Sequence, residues 1–334
     1  MSKKYHIYGL GNALVDIVTE VDDDFFTRYS IEKGVMTLVN ETRQHELIEA
    51  IHLPDSDRQC GGSAANTIIS ASQFGSRCFY SCKIANDEMG HFYLRDLVAN
   101  HVDTNLNGAG LADGITGRCL VMTTADAQRT MNTFLGITSD FSPKELHEEA
   151  IRDSHYVYIE GYLVASEMGR EAMKVAKSMA EKHGVKTALT FSDPSMIKYF
   201  KKEMREVVGK GVDMLFCNEE EACLFTGTDN ILEARERLKY FAKKFAITLG
   251  ANGASIFDGD TFVDIEPYRV NAVDTNGAGD MFAGAFLYGI THGHTYAEAG
   301  KIASLASSRV VAKFGPRLKA NQVREIVDAL FKVE

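Results

Sequence analysis

The chain has 334 residues, 45% hydrophobic and 25% charged, the composition of an ordinary globular protein long enough to bury one large core. Its net charge of -10 argues against a nucleic-acid or membrane surface, since either wants a basic face. Six cysteines without a CxxC pair (Cys60, Cys78, Cys82, Cys119, Cys217 and Cys223) read as reduced thiols of a cytoplasmic protein.

At the start, two lysines precede an apolar run broken by Gly9, Gly11, Asn12 and Asp16, which is neither a signal peptide nor a membrane span. Residues 5–10 read as a short buried strand. The following Gly9-Leu10-Gly11 invites a dinucleotide-binding assignment, but the third glycine is missing and Asp16 falls too early to be the ribose-binding acid. Residues 13–39 read as strands around a short helical piece, and residues 67–74 as an apolar helix. Alternating runs at 118–123 and 129–135 pair with the earlier strands to suggest a small sheet outside the main one, spanning 13–39 and 115–136.

Further on, strand-like runs at 156–159, 186–191, 214–217 and 245–249 alternate with helical patterns at 167–183 and 231–241. That alternation predicts a single α/β domain over 1–334, with a mostly parallel central sheet between two helical layers. Ligands in such sheets bind at the carboxyl ends of the strands. His292-Gly293-His294 reads as a surface turn, because no third ligand lies nearby.

Two motifs carry chemistry. In Asp274-Thr275-Asn276-Gly277-Ala278-Gly279-Asp280, small residues sit between two carboxylates, and an apolar helical pattern follows. A helix starting at Ala278 or Gly279 would turn its free amides and positive dipole end on an anion, with Asp280 in the first turn as a proton acceptor. The same residues also read as a glycine-rich turn before an ordinary helix. Upstream, Gly61-Gly62-Ser63-Ala64-Ala65-Asn66 precedes an apolar helix, with Ser63 as its expected N-cap.

Together these motifs resemble those of the ribokinase-like, phosphofructokinase-B type carbohydrate and nucleoside kinases, and the form of the Asp274–Asp280 motif is similar to that in the adenosine kinases. The likeness runs from about Gly9 to about Gly315. It implies a three-layer α/β/α domain with a small β-sheet lid, ATP and Mg2+ as cofactors, and a small hydroxyl-bearing acceptor. Asp280 is implied as the base, Gly277, Ala278 and Gly279 as the anion hole, and Arg129 as the lid arginine over the transferring phosphate. Asn12, Asp16, Gly62 and Asn66 are implied at the acceptor sugar, with Phe134 and Tyr162 as the wall for a base. Asn218 and Glu221 resemble an NxxE motif that organises Mg2+, largely through water. Thr248, Gly250 and Gly253 resemble the nucleotide-side loop, with adenine placed near Ala303 and Ser307. The stretch from Asp274 to Gly315 resembles a monovalent-cation loop, making K+ a further expected cofactor, although Phe314-Gly315-Pro316 departs from the usual run.

The expected acceptor is the 5′-hydroxyl of adenosine. Alternatives are inosine, guanosine, ribose or fructose, or a nucleoside-binding regulatory protein without catalysis. No GxxxxGK[ST] occurs, which excludes a P-loop kinase. A monomer is expected, without nucleic-acid or membrane partners.

Overall fold

A computed structural model describes residues 3–51, 58–106, 111–126 and 128–331. In chain order the strands among them are β1 (Tyr5–Leu10), β2 (Leu14–Glu20), β3 (Met36–Leu38), β4 (Arg58–Gly61), β5 (Cys78–Ser81), β6 (Val102–Thr104) and β7 (Thr116–Thr123). There follow β8 (Arg129–Gly136), β9 (Ser154–Ile159), β10 (Lys186–Thr190), β11 (Met214–Asn218), β12 (Phe245–Thr248), β13 (Ala254–Phe257) and β14 (Phe262–Ile265).

Nine of these make the main sheet, in the order β14-β13-β12-β11-β10-β9-β1-β5-β6. From β12 to β6 every pairing is parallel; β13 and β14 add an antiparallel edge. The strands are apolar on both sides because both faces are covered. Tyr156, Tyr158, Met214 and Phe216 enter one core, while Val157, Ile159, Leu215 and Cys217 enter the other. Each fully buried large side chain contributes about 1.5–3 kcal/mol.

The second sheet, β3-β8-β7-β2-β4, contains the expected segments and one strand that the pattern did not announce, β4. Its Arg-Gln-Cys-Gly sequence has little strand character, and it is held by antiparallel register with β2, Asp16 lying opposite Gln59. One face of this sheet packs Ile17, Leu120 and Met122 against Phe26 and Leu47 of two short helices. The other face is turned to the carboxyl ends of the main strands.

Two helices position the chemistry. The helix Ser63–Phe74 and the helix Ala278–Thr291 cross at Gly284, where a Cβ would stand 2.5 Å from the Thr67 carbonyl oxygen and 2.8 Å from Ser70 Cβ. Only glycine permits that approach. Ser70 Oγ also donates to Met281 Sδ at 2.9 Å, one turn nearer the helix start.

Gly284→Ala is therefore expected to lose about 1–3 kcal/mol of unfolding free energy through overpacking, despite alanine's better helix propensity. Urea denaturation should show a lowered midpoint with an unchanged slope.

Candidate active site

The carboxyl ends of β1, β9, β10, β11 and β12 and one face of the small sheet enclose a cleft of about 360 Å³. On the sheet side, β8 presents Arg129, Met131, Thr133 and Leu135 to it, every second residue. Of the residues singled out in the sequence, Asn12, Asp16, Gly62, Asn66, Arg129, Tyr162, Asn218, Glu221, Thr248 and Gly277 through Asp280 line this one cleft.

Asp280 lies in the first turn of the helix Ala278–Thr291, whose N-cap, Gly277, is left-handed at φ 72° and makes no side-chain cap bond. First-turn amides have no acceptor within their own helix, so Gly279 and Asp280 direct theirs at the cleft mouth. The Asp280 carboxylate accepts from Ser63 Oγ at 2.6 Å and from Asn66 Nδ2 at 3.1 Å. Burial at the cleft floor pushes its pKa up to about 6, held back by those two bonds and by the Arg129 and Arg317 charges. Such a group is mostly ionised at neutral pH and close enough to its titration point to take a proton readily.

Two more carboxyls share the floor. Asp16 is buried with its pKa pushed up to about 7, moderated by Arg317 and Arg129. A Cβ at Gly61 would stand 2.1 Å from Asp16 Oδ1, so Gly61 makes room for this carboxyl. Glu160, at the end of β9, is fully buried and raised to about 7 by burial. It accepts from the Asn12 amide at 3.1 Å, Asn12 Nδ2 at 2.9 Å and the Ala64 amide at 2.8 Å. Glu160 thereby ties the loop after β1 to the start of the helix Ser63–Phe74.

Arg129 approaches Asp274 at 4.0 Å, while its Nε and Nη1 are buried without a hydrogen-bond partner. Those donors face a cleft and suit an incoming anion. Asn218 and Glu221 form a capping box at the start of the helix Glu219–Thr226. Asn218 Oδ1 accepts from the Glu221 amide at 2.8 Å, and Glu221 Oε2 accepts from the Asn218 amide at 2.9 Å. Burial raises the Glu221 pKa to about 8.

The structure does not bring every expected residue to this cleft, and one expected cap is another residue. Phe134 does not line the cleft: it alternates with Thr133 and Leu135 on β8 and faces a separate hollow beside Lys83 and Ile137. Ser63 is not an N-cap. Gly62 caps that helix at φ 93°, and the Ser63 hydroxyl is given to Asp280 instead. Ala303 is wholly buried in the core of its helix, away from the cleft wall, and the Ser307 hydroxyl is spent on the Ala278 carbonyl at 2.7 Å. Gly250 and Gly253 lie in the turn after β12, beyond the cleft lining. Sequence reasoning missed Glu160 and Arg317 as well. An isolated acid after an apolar strand was the available signal for Glu160; Arg317 carried none.

The model of the pfkB family of carbohydrate kinases matches residues 35–322. The chain belongs to that family. Among solved structures, this pfkB kinase is similar to a probable sugar kinase from Rhizobium etli CFN 42, with TM-score 0.91 and 30% identity over 98% of each chain. It is similar also to an adenosine kinase from Sinorhizobium meliloti, with TM-score 0.90 and 32% identity over 96% of this chain and 99% of that one. Among curated relatives, a ribokinase from Staphylococcus aureus (strain COL) is 28% identical over 287 residues, covering 83% of this chain and 90% of the relative. The pfkB kinase is accordingly a phosphotransferase with an alcohol acceptor, and kinases of this family use ATP with Mg2+.

The raised Glu221 carboxyl makes stability depend on pH with a definite sign. In the unfolded chain it titrates near 4.5 and in the native protein near 8, so native protein holds a proton that unfolded chain has released. That contribution is complete below 4.5 and vanishes as pH rises through 8. Glu221→Gln keeps the capping box but does not titrate. Denaturant titrations should show it gaining on the wild type by on the order of a few kcal/mol across that window.

Proposed function

We propose that this pfkB kinase transfers the γ-phosphoryl group of ATP to the 5′-hydroxyl of a nucleoside, with adenosine as the acceptor. The observation that carries the reaction is Asp280, a cleft carboxylate titrating near 6 at the mouth of an uncapped helix. Its position lets one side chain take the proton of an attacking hydroxyl while the helix start at Gly277, Ala278 and Gly279, with the first-turn amides of Gly279 and Asp280 left without a helical acceptor, holds the transferring phosphate. Arg129, with its unpaired donors, neutralises charge as it develops on that phosphate.

The acceptor class rests on the cleft wall. Its floor offers hydroxyl partners in Asn12, Asp16 and Asn66, fitting a ribose. Its cover offers Leu14, Met36, Leu38, Met131 and Leu135, with Tyr162 to one side, an apolar surface suited to a purine rather than to a hydroxyl-rich sugar alone. The adenosine kinase of similar fold supports this choice. The small sheet is the cover that excludes water once both substrates are seated. A second reading, a free pentose or hexose, is favoured by the ribokinase relative and keeps the same base and anion hole.

Mg2+ supplies a charge bridge between the phosphates of ATP. Asn218 and Glu221 fit an outer role toward it, because their polar atoms are bonded to one another and would meet a hydrated ion through its water. Asp274, which accepts from the Gly315 amide at 3.0 Å, ties together the loop we assign to K+. The protein acts in the cytoplasm as a monomer.

Asp280→Asn is expected to lower kcat by about 10^2–10^4-fold with acceptor binding retained. In the wild type, kcat/KM should fall as pH drops through about 6, the base being active only when ionised. Near-wild-type turnover in the variant would remove the mechanism. A panel of adenosine, inosine, guanosine, ribose and fructose with MgATP, scored by ADP formation, should show adenosine preferred. A preference for ribose or fructose would move the assignment to the second reading.

A further inference from the structure

We propose that Arg317 is a positioning residue for the phosphoryl-transfer step: it holds Asn66 in the one amide orientation that donates to Asp280. The inference rests on Asp280 being the proton acceptor, and it concerns a residue that lies behind the cleft wall rather than in it.

A guanidinium only donates, so Arg317 Nε, 2.9 Å from Asn66 Oδ1, obliges Asn66 to turn its oxygen away from the cleft. The amide nitrogen then faces Asp280 Oδ2 at 3.1 Å as a donor. Reversing the amide would set oxygen against carboxylate and nitrogen against guanidinium, a mismatch at both ends. Arg317 is itself fixed on two further sides. Nη1 donates to Asp96 Oδ2 at 2.7 Å and Nη2 to the Cys60 carbonyl. Asp96, Arg317, Asn66 and Asp280 thus form one chain of bonds, with charge at its ends and its middle.

The backbone leading to Arg317 is pinned to the same loop. The Gly315 amide donates to Asp274 Oδ2 at 3.0 Å, and Pro316 packs on Gly277 so closely that a Cβ there would meet its carbonyl oxygen at 2.4 Å. Three consecutive residues therefore address Asp274, the helix cap Gly277 and, through Asn66, the base. This is the Phe314-Gly315-Pro316 region whose sequence departs from the usual family run.

The groups facing Asp280 are Arg129 from the small sheet, Arg317 from the C-terminal segment, Asp16, Glu160, Tyr158 and Tyr162, besides the neutral Ser63 and Asn66. Arg129 stays in place when Arg317 is replaced, so the two cations are separable. Loss of Arg317 removes a charge and frees the amide to turn, and both changes disfavour the ionised base.

The test uses the full chain with MgATP and whichever of the five acceptors it turns over. Arg317→Met is expected to move the acid limb of the pH profile upward by about one unit, which lowers kcat by about twofold at pH 7 and about fivefold at pH 6, with recovery at higher pH. In the Asn66→Ala background the same substitution should move the limb by about half a unit or less, because only the lost charge acts once the amide is gone. Should Arg317→Met fail to fold, Arg317→Lys keeps a charge beside Asp96 without a fork that reaches three acceptors, and a smaller upward shift is expected. An unmoved acid limb in either folded variant, or an undiminished shift in the Asn66→Ala background, would overturn the positioning role. Those outcomes, with Asp280→Asn inactive, leave the kinase reading standing; an active Asp280→Asn would sink both.

Discussion

A contact of one helix against another at backbone distance governs the site. Because Gly284 lets the helix Ala278–Thr291 rest on the Thr67 carbonyl, two stretches more than two hundred residues apart bring their N-terminal ends to one point. Asp280 reaches Ser63 and Asn66 only in consequence. Both helix starts carry partial positive charge, one occupied by the Glu160 carboxylate at the Ala64 amide and the other, at Gly277 to Gly279, turned to the cleft. The uncapped helix start that we propose as the anion site is thus a product of packing as much as of loop sequence.

Electrostatics follow from the same geometry. Asp16, Glu160, Glu221 and Asp280 all line a cleft that raises their pKa by burial. The Arg129 and Arg317 charges hold back that rise at Asp16 and Asp280, and of the four carboxyls Asp280 is the one left mostly ionised at neutral pH. The two arginines divide the work: one faces the cleft with donors free, the other stands behind it with every nitrogen engaged.

Much of this was legible in the chain. The parallel sheet could be read from its apolar runs, and the motifs at 61–66 and 274–280 are each contiguous, so local spacing was enough to place Asp280 in a first helical turn. What failed to show had non-local causes. Phe134 differs from Thr133 by one step of strand parity, which only register decides. Ser63 looked like a cap because composition favours it there, yet a backbone turn at Gly62 freed its hydroxyl for a partner far along the chain. Arg317 sits in no motif and matters through Asn66, and β4 has a sequence that only its neighbour makes into a strand.

Two of the joints that stitch the small sheet to the rest of the molecule are very short. Between β1 and β2 lie only residues 11–13, and between β4 and the helix Ser63–Phe74 lies only Gly62. Asn12 and Gly62, on those joints, are also cleft residues. A substitution at either joint would therefore disturb the lining of the cleft and the anchorage of its cover together.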